Sequence, residues 1–549
     1  MITAPLQEVL QYHEATKHHF HGHARGPGYM DWATQPSPFR RYEGARLISL
    51  KKVPPGKEPL YDDAFVPGRI SCAPLSFESI SQFFFDSLAI SAWKSIPTAT
   101  WSLRVNPSSG NLHPTEGYLI CGPIEGLCER PIICHYAPKK HALEVRAEFS
   151  VEVWRQLTEE LPQGVLFIGL TSIHWREAWK YGERAYRYCQ HDVGHAIGAV
   201  SIAAGGLGWQ AKLLDDLSTE DLASLTGVFQ AHNSEPEEPD CLIALCPQGE
   251  EVNTSRLNSV TMESFRTFDW KGTPNHLSSS HVDWGMEKIS EAARKPRTDQ
   301  PYESFHQPPN PWSLTTRPVS LRQMIRQRRS AVAMNSVTTM SKDTFYRILL
   351  KTVAVPGRIP FNTLAWKSYV HLAIFVERVV GLRSGLYFLV RDTSQRKNIE
   401  STFSKANEWS KPEACPDELE LYLLTEADAR DAARQISCFQ NIASESCFSL
   451  GMIVEFMTPL EHYGPWFYPR LFWETGVIGQ VLYLEAEAAG IRSTGIGCFF
   501  DDPMHEVLGL RGRQYQDLYH FTIGGAVEDS RLTTLPAYPD EKNGLPGFA

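Results

Sequence analysis

A short polar loop early in the chain combines backbone constraint with hydrogen-bonding side chains. Pro107 fixes one backbone dihedral, and Gly110 permits geometry that other residues avoid. Ser108, Ser109 and Asn111 add hydroxyl and amide groups that donate and accept hydrogen bonds. The loop is therefore suited to hold a flat polar ligand, although the same residue types also build ordinary turns.

A second candidate site is a basic segment far along the chain, at residues 321–330. Its apolar spacing predicts the start of a helix, and it carries arginines that lead to Arg328 and Ser330. A planar guanidinium grips phosphate oxygens through paired hydrogen bonds, and a serine hydroxyl adds a donor. The segment therefore predicts an anion clamp, with a solvated basic helix face as the alternative.

Histidines give two further candidates. His195 follows an acidic residue and a glycine, so it could contact a substrate, but a buried and hydrogen-bonded histidine is the alternative. His18, His19, His21 and His23 form a cluster of the side chains that most often bind metals. No thiol or carboxylate of ligand spacing accompanies the cluster in the sequence, and we therefore predict no metal site.

The length, net charge and cysteine count of the chain limit the classes of protein to which it can belong. Its 549 residues exceed the size of a single hydrophobic core, so two large domains are expected. The net charge of -10 argues against binding to nucleic acid. The eleven cysteines are an odd number without a Cys-x-x-Cys pair, which predicts free buried thiols. Neither a signal peptide nor a membrane span is evident, and we expect a cytoplasmic protein that does not bind membranes.

Two distant segments share one pattern, which suggests an internal duplication. Residues 192–208 and 474–490 both begin with an acidic residue two positions before a glycine, and both end in Ala-x-x-x-Gly. Each segment predicts a closely packed helix that ends at a glycine in the left-handed conformation. The simplest explanation is two copies of one α/β unit.

The remaining pattern predicts α+β layers and two domains. Strands are expected at 117–121, 165–170, 241–245, 369–376, 385–390, 452–456 and 520–523. Residues 251–315 are polar and rich in Ser, Asn and Pro, which predicts a linker on the surface. The expected domains are therefore residues 1–250, with an N-terminal arm, and residues 316–549.

The order of these motifs resembles the nitroreductase superfamily of FMN proteins. Within it, the chain is most similar to the double-length SagB/ThcOx-type dehydrogenases, which include azoline oxidases of ribosomal peptide biosynthesis. The resemblance covers nearly the whole chain. It is carried by residues 12–19, residues 39–44, the loop at Pro107, and residues 179–188 leading into residues 192–195.

The resemblance implies two nitroreductase-like domains that form an internal pseudo-dimer, with FMN between them. One chain would then supply both parts of the cofactor site. The residues implied for FMN are Pro107, Ser108, Ser109 and Asn111 from the first half, and Arg328, Ser330, Gly495, Ile496, Gly497 and Arg531 from the second. The second half lacks a Pro-Ser-Ser-Gly-Asn after Ser330, so it lacks a second copy of the loop at Pro107. We therefore expect one FMN per chain.

The resemblance also implies a catalytic pair. Azoline dehydrogenases of this family use an adjacent Lys-Tyr pair near the flavin, and Lys180 and Tyr181 occupy the matching place. In such a reaction N5 of FMN takes a hydride, Lys180 takes or relays a proton, and Tyr181 orients the substrate. The alternative is that Lys180 caps a surface helix and Tyr181 packs against it.

Three functions remain open. The resemblance favours an FMN-dependent dehydrogenase acting on an azoline-like heterocyclic or peptidic substrate. Association with a biosynthetic partner enzyme and formation of a homodimer are both compatible with this function. An NAD(P)H-dependent nitro- or quinone reductase is the second reading. A flavin-free scaffold that binds a peptide or partner is the third, and it is disfavoured because the loop and the clamp retain polar residues.

Overall fold

The polypeptide forms two α+β units, one from each half of the chain. This computed structural model describes residues 3–229, 235–247, 257–280, 282–299, 302, 317–403 and 408–539. The strands of the first half are β1 (Tyr42–Glu43), β2 (Arg46–Ser49), β3 (Ile90–Ile96), β4 (Ala99–Arg104), β5 (Thr115–Cys121), β6 (Ile132–Ala137), β7 (Ala142–Glu148), β8 (Leu166–Ser172), β9 (Gln210–Leu213), β10 (Glu238–Cys246) and β11 (Thr273–Pro274). Its helices are α1 (Ala4–Ala15), α2 (Phe77–Ser87), α3 (Val151–Leu157), α4 (His174–Tyr181), α5 (Ala185–Gly205), α6 (Thr219–Thr226), α7 (Ser259–Ser264) and α8 (Met286–Ala292).

The second half has the same mixture of elements. Its strands are β12 (Met340–Ser341), β13 (Val370–Val376), β14 (Val379–Val380), β15 (Gly385–Leu389), β16 (Leu421–Glu426), β17 (Phe448–Glu455), β18 (Arg492–Ile496), β19 (Tyr515–Gly524) and β20 (Thr533–Leu535). Its helices are α9 (Leu321–Gln327), α10 (Lys342–Thr352), α11 (Arg396–Thr402), α12 (Arg430–Ile436), α13 (Asn441–Ser444), α14 (Met457–Tyr463), α15 (Tyr468–Ala488) and α16 (Asp501–Leu508).

A seven-stranded sheet organises the first unit. Its spatial order is β2-β7-β6-β5-β8-β10-β9, and every neighbouring pair is antiparallel. The central strand β5 is buried along its whole length, so its mostly apolar sequence lacks the alternation of a half-exposed strand. The strands predicted at 117–121, 165–170 and 241–245 are found as β5, β8 and β10.

The second unit is built on a six-stranded antiparallel sheet of order β16-β15-β13-β17-β19-β18. The strands predicted at 369–376, 385–390, 452–456 and 520–523 are found as β13, β15, β17 and β19. The prediction of an α+β fold with two similar units is therefore confirmed.

The long helices α5 and α15 pack directly against each other at the centre of the molecule. A Cβ placed on Gly194 would lie 2.4 Å from the carbonyl oxygen of Trp473 and 2.8 Å from Cα of Gly476. Only glycine at both positions lets the two backbones approach so closely. The seam between the two units is therefore fixed by the glycines that open the two similar sequence segments.

The two similar segments form the helices that the sequence predicts. Residues 192–208 fall in α5 and the turn after it, and residues 474–490 fall in α15 and its turn. Gly208 has φ 71° and Gly490 has φ 74°, so both adopt the left-handed conformation expected after a helix. Within the described residues no helix is both long and apolar enough to cross a membrane.

Buried ion pairs also join the two units. Arg184 and Arg187 on the first unit bind Asp501 at 3.0 and 2.7 Å. Arg470 on α15 pairs with Asp215 of the first unit, where both side chains are about 4% exposed. Removing one partner of such a pair leaves an uncompensated buried charge, which typically destabilises by about 3–5 kcal/mol.

A small sheet joins the C-terminal part of the chain to the first unit. The strands lie in the order β20-β3-β4, and Thr534 pairs with Lys94. The β3–β4 hairpin continues directly into the polar loop at Pro107. The second half of the chain therefore supports the hairpin that leads into the loop.

The segment between the units contains ordered structure in its described portions, 257–280 and 282–299. Met262 on α7 and the neighbouring Phe265 are almost fully buried against the core of the first unit. Residues 251–256, 281, 300–301 and 303–315 of the predicted linker lie outside the described residues. The domain boundaries at 250 and 316 stay predictions.

Candidate cofactor site between the two units

A cavity of about 690 Å³ lies at the seam between the two units. This volume falls within the range of about 300–1,000 Å³ that is usual for small-molecule sites. Three separate stretches of chain form its main walls: residues 107–111, residues 327–332 and residues 494–498. The N-terminal part of α5 closes one side through Tyr188, Asp192 and His195.

The loop at Pro107 is held in shape by its own side chains. The Asn111 amide donates to the carbonyl oxygen of Ser102 at 2.8 Å, and its Oδ1 lies 2.9 Å from Nε2 of His113. Ser108 Oγ accepts a hydrogen bond of 2.8 Å from the backbone N–H of His113. Gly110, Asn111 and His113 all have positive φ, which turns the chain sharply. Part of the hydrogen-bonding capacity predicted for a ligand is thus used within the loop.

Asp192 links the loop to helix α5. Its carboxylate accepts hydrogen bonds from the backbone N–H of Ser109 at 2.9 Å and from Ser109 Oγ at 3.0 Å. Burial raises the pKa of Asp192 to about 7, although the bonds from Ser108 and Ser109 counteract this shift. The cavity wall therefore contains a carboxyl group that changes its protonation near neutral pH. In the sequence Asp192 is the acidic residue at the start of residues 192–208, and no neighbouring residue indicates that it lies in a ligand site.

Arg328 presents unused hydrogen-bond donors to the cavity. The residue is 4% exposed, and its Nη2 donates to the carbonyl oxygen of Arg104 at 2.9 Å. Its Nε and Nη1 are buried without a hydrogen-bond partner among the described residues. The guanidinium also lies over the ring of Tyr483, 4.8 Å from its centroid. A buried cation with two free donors is a receptor for an anion.

Positive charge dominates this part of the cavity wall. Burial lowers the pKa of Arg328. Burial also lowers the pKa of Arg329, to about 10, and the neighbouring charge of Arg328 adds to this lowering. A bound anion would offset this repulsion. Among the described residues, the cationic lining side chains are Lys94, Arg104, Arg328, Arg329 and Arg492, and the acidic ones are Asp192, Glu528 and Asp529.

The segment after α9 is attached to strand β18. The helix ends at Gln327, so Arg328 and Ser330 follow it in extended chain instead of lying on its face. Ser330 forms a parallel bridge with Ser493, and the N–H of Ala331 donates to the Ser493 carbonyl at 3.0 Å. This pairing places the arginine clamp beside Gly495 and Gly497.

Tyrosine rings explain the glycines on the β18 wall. A Cβ on Gly495 would lie 2.0 Å from Tyr519 Oη, and one on Gly497 would lie 2.1 Å from Tyr188 Cε1. The N–H of Gly495 donates to Tyr483 Oη at 3.0 Å, and that oxygen is 2.9 Å from Ser330 Oγ. The backbone N–H of Gly495, a residue that the resemblance implies for FMN, is therefore bonded to a tyrosine in this structure.

The predicted catalytic pair lies against the loop. Gly110 has φ 56°, and a Cβ there would lie 2.6 Å from Tyr181 Oη and 3.1 Å from Lys180 Cδ. Tyr181 lines the cavity, whereas the partly buried Lys180 is not among the lining residues. Burial raises the pKa of Tyr181 well above its ordinary value, which keeps the phenol protonated. Arg184 and Arg187, which follow Lys180 closely in the sequence, are paired with Asp501.

The structure gathers nine of the ten residues predicted for the cofactor: Pro107, Ser108, Ser109, Asn111, Arg328, Ser330, Gly495, Ile496 and Gly497 all line the cavity. Arg531 does not line it. Its side chain is 84% exposed and binds Asp529 at 2.8 Å. His195 lines the wall with Nε2 3.1 Å from Tyr519 Oη, and burial lowers its pKa to about 3.

These residues fit FMN, which combines a phosphate with a flat polar ring. The two unpartnered donors of Arg328 suit the phosphate. Tyr181, Tyr188 and Tyr519 give the cavity flat apolar surface, as an aromatic ligand requires. The sequence missed Tyr483, Tyr188 and Tyr519 as site residues because aromatic residues in buried elements carry no local sign of a ligand.

Comparison with known proteins agrees with this architecture. No family model matches the sequence. A candidate nitroreductase of Methanocaldococcus jannaschii, MJ1384, is 25% identical over 142 residues, which are 25% of this chain and 66%, just under two thirds, of that protein. The Escherichia coli microcin synthetase McbBCD complex with truncated pro-MccB17 covers 46% of this chain and 85% of its own, at 15% identity. Its TM-score of 0.28 is too low to support an argument.

One solved structure matches almost the whole chain. A candidate nitroreductase of Anabaena variabilis covers 95% of this chain and 99% of its own, with a TM-score of 0.64 and 20% identity. At this identity the likeness concerns the fold and leaves the reaction open. The protein therefore has a nitroreductase-like fold in which one chain supplies both units.

Proposed function

We propose that this protein is an FMN-dependent oxidoreductase that dehydrogenates an azoline-like heterocyclic or peptidic substrate. One observation carries the cofactor part of the proposal. The polar loop of the first unit and the arginine clamp of the second, more than 200 residues apart, meet in one cavity, where Nε and Nη1 of the buried Arg328 lack a hydrogen-bond partner among the described residues.

Arg328 is the residue that would hold the phosphate of FMN. Its third donor group is already fixed by the carbonyl oxygen of Arg104, so the guanidinium is oriented before any ligand binds. Such preorganisation reduces the entropy lost on binding. Lys94 and Arg492 add positive charge to the same wall without being buried.

The loop at Pro107 and strand β18 would hold the ring system from two sides. Bound FMN would supply a two-electron acceptor for the substrate. Asp192 fixes Ser109, and with a pKa of about 7 it can also exchange a proton at the cavity wall near neutral pH. Gly495 and Gly497 carry no side chain, and this lets the rings of Tyr519 and Tyr188 pack against strand β18 and the residues after it as part of the cavity wall.

Lys180 and Tyr181 would complete the reaction. Dehydrogenation beside a heteroatom requires a base for the proton. Lys180 lies next to the loop without lining the cavity, so its amine would receive the proton by relay and would not touch the substrate itself. Tyr181 lines the cavity as a protonated phenol and can donate a hydrogen bond to the substrate. The azoline class of substrate rests on the resemblance of the sequence.

Anaerobic reduction of the reconstituted flavin tests this function. The proposal predicts that a peptide bearing a thiazoline or oxazoline bleaches the flavin absorbance and is converted to the corresponding azole. Bleaching by NAD(P)H, with no response to azoline peptides, would instead favour the nitro- or quinone reductase. Failure of the protein to bind FMN at all would leave the scaffold function.

A further inference from the structure

We propose that His23, Cys438 and Cys498 form a binding site for Zn²⁺ beside the cofactor cavity. The ligand atoms of the three side chains all lie within 4.8 Å of one another. Two thiolates and one imidazole match the ligand preference of zinc, and three protein ligands leave one position for water or a substrate group.

The N-terminal arm is folded so that His23 reaches the second unit. Backbone hydrogen bonds of 2.8 and 3.1 Å between His19 and Gly22 close a tight turn just before His23. The N–H of Ala24 donates to Nδ1 of His18 at 3.0 Å, and the His18 N–H is bound by Asp501 at 2.9 Å. The backbone is therefore held in place on both sides of His23.

The two cysteines are also held in place by their surroundings. Cys438 follows α12 with φ 52°, an uncommon conformation for a residue with a side chain. The side-chain amide of Gln440 donates to the carbonyl oxygen of Cys498 at 2.9 Å and to that of Ser437 at 2.8 Å. One amide thus ties together the two chain segments that carry the sulfur atoms.

The distances suit a metal site before metal binding. Cys438 Sγ is 2.9 Å from Cys498 Sγ and 3.9 Å from Nε2 of His23. Two thiolates bound to one tetrahedral ion at 2.3 Å lie about 3.8 Å apart, so small side-chain rotations would admit the ion.

The neighbouring charges are compatible with a cation. The charge of Arg184 is balanced by Asp501 at 3.0 Å. The rings of Phe20, Phe439 and Phe500 contact one another, and that of Phe500 also contacts the imidazole of His23. The proposed site therefore has an apolar side next to His23.

The site has two consequences if it binds zinc. It fastens the N-terminal arm of the first unit to the second unit, because its ligands come from both. It also lies at the cofactor cavity, since Cys498 lines the cavity wall. The sequence could not reveal this site because Cys438 lies 415 residues after His23 and 60 residues before Cys498.

Binding of Co²⁺ to the reduced, full-length protein tests the proposal without reference to flavin or activity. Co²⁺ bound by thiolates gives ligand-to-metal absorption in the near ultraviolet, and we expect that signal to saturate at one equivalent and to be displaced by Zn²⁺. Cys438→Ser and Cys498→Ser should each abolish it, and His23→Ala should weaken binding at least tenfold. Cys415→Ser, at another partly buried cysteine, is the matched control and should keep the full signal.

A second measurement covers the case in which a variant misfolds. In the wild-type protein, Zn²⁺ should protect Cys438 and Cys498, but not Cys72, from alkylation detected by mass spectrometry. Three results would overturn the proposal: Co²⁺ binding without the thiolate absorption, a signal that survives in the Cys438→Ser/Cys498→Ser double variant, or alkylation of both cysteines that is unaffected by Zn²⁺. Formation of a Cys438–Cys498 disulfide that Zn²⁺ does not slow would contradict it as well.

Discussion

The guanidinium of Arg328 donates a hydrogen bond of 2.9 Å to the backbone carbonyl of Arg104, across the seam between the two units. Arg104 ends the strand that leads into the polar loop, and Arg328 begins the segment that carries the anion clamp. One hydrogen bond therefore sets the distance between the two parts of the candidate site. It also leaves Nε and Nη1 of Arg328 free for a ligand.

Replacement of Arg328 tests the anion clamp. Arg328→Ala removes a charged group that would make two hydrogen bonds to phosphate, each worth about 1.5–3 kcal/mol. We expect the Kd for FMN to rise by at least tenfold, and Arg328→Lys to recover only part of the loss because Lys cannot form a planar fork. Fluorescence titration of the apoprotein measures this. Arg383→Ala, on the exposed surface, is the control and should bind FMN normally.

Arg531 offers a comparison with Arg328, since the sequence assigned both to the phosphate. Its guanidinium is 84% exposed and already paired with Asp529. In the same titration we expect Arg531→Ala to change the Kd for FMN by less than threefold. A loss as large as that of Arg328→Ala would show that the C-terminal segment closes over the cofactor when it binds.

The raised pKa of Asp192 predicts a pH-dependent stability. Its folded pKa of about 7 exceeds the value of about 3.9 in an unfolded chain, so the folded state holds an extra proton between these limits. The contribution of Asp192 to the free energy of unfolding is therefore lost as the pH rises from about 4 to 7. Above about pH 7 this contribution no longer changes.

Urea unfolding of the wild type and Asp192→Asn at several pH values isolates this effect. The free energy of unfolding of the wild type, minus that of the variant, should fall as the pH rises through this window. The exposed Asp417 provides the control Asp417→Asn, for which the difference should not follow this course. A flat difference for Asp192→Asn would contradict the assigned pKa.

The glycine contact between the central helices predicts a large effect of one methyl group. Gly194→Ala would place Cβ 2.4 Å from the carbonyl oxygen of Trp473, so helices α5 and α15 would have to separate. Overpacking of this kind typically destabilises by about 1–3 kcal/mol. Thermal unfolding should show a lower Tm for Gly194→Ala than for the control Gly56→Ala, whose nearest neighbour would be 3.7 Å away. Equal Tm values would argue against close packing of the two helices.

Lys180 is tested by separating chemistry from cofactor binding. Lys180→Met removes the proposed base, so the rate of flavin reduction by an azoline peptide should fall by about 10²–10⁴. The FMN content should stay near that of the wild type, because Lys180 does not line the cavity. Lys271→Met, on the exposed surface, should reduce flavin at the normal rate. An unchanged rate in Lys180→Met would assign the proton transfer to another group, with Asp192 the nearest alternative.

Local residue patterns predicted much of the fold and the site. The glycines of residues 192–208 and 474–490 mark the central helices because close backbone approach demands glycine. Pro107 and Arg328 stood out as parts of a constrained loop and a run of arginines, and the resemblance to the nitroreductase superfamily implied that both belong to one site. Strands such as β5 and β13 were found because runs of buried apolar residues are distinctive.

The rest depended on contacts between distant parts of the chain. Asp192 acquires its properties from Ser109, and Arg328 from Arg104, and neither partner is evident from the sequence near the residue itself. The helix at the clamp ends at Gln327 because the following residues pair with β18. Similarly, His23 lies near Cys438 and Cys498 only in the folded chain.

The most direct test of the account is the FMN content of the purified and reconstituted protein, measured by absorbance and by identifying the flavin released on denaturation. We predict about one FMN per chain for the wild type and for Arg383→Ala, and strong depletion for Arg328→Ala. Absence of FMN from the wild type after incubation with excess cofactor, or equal FMN in Arg328→Ala, would contradict the proposed site.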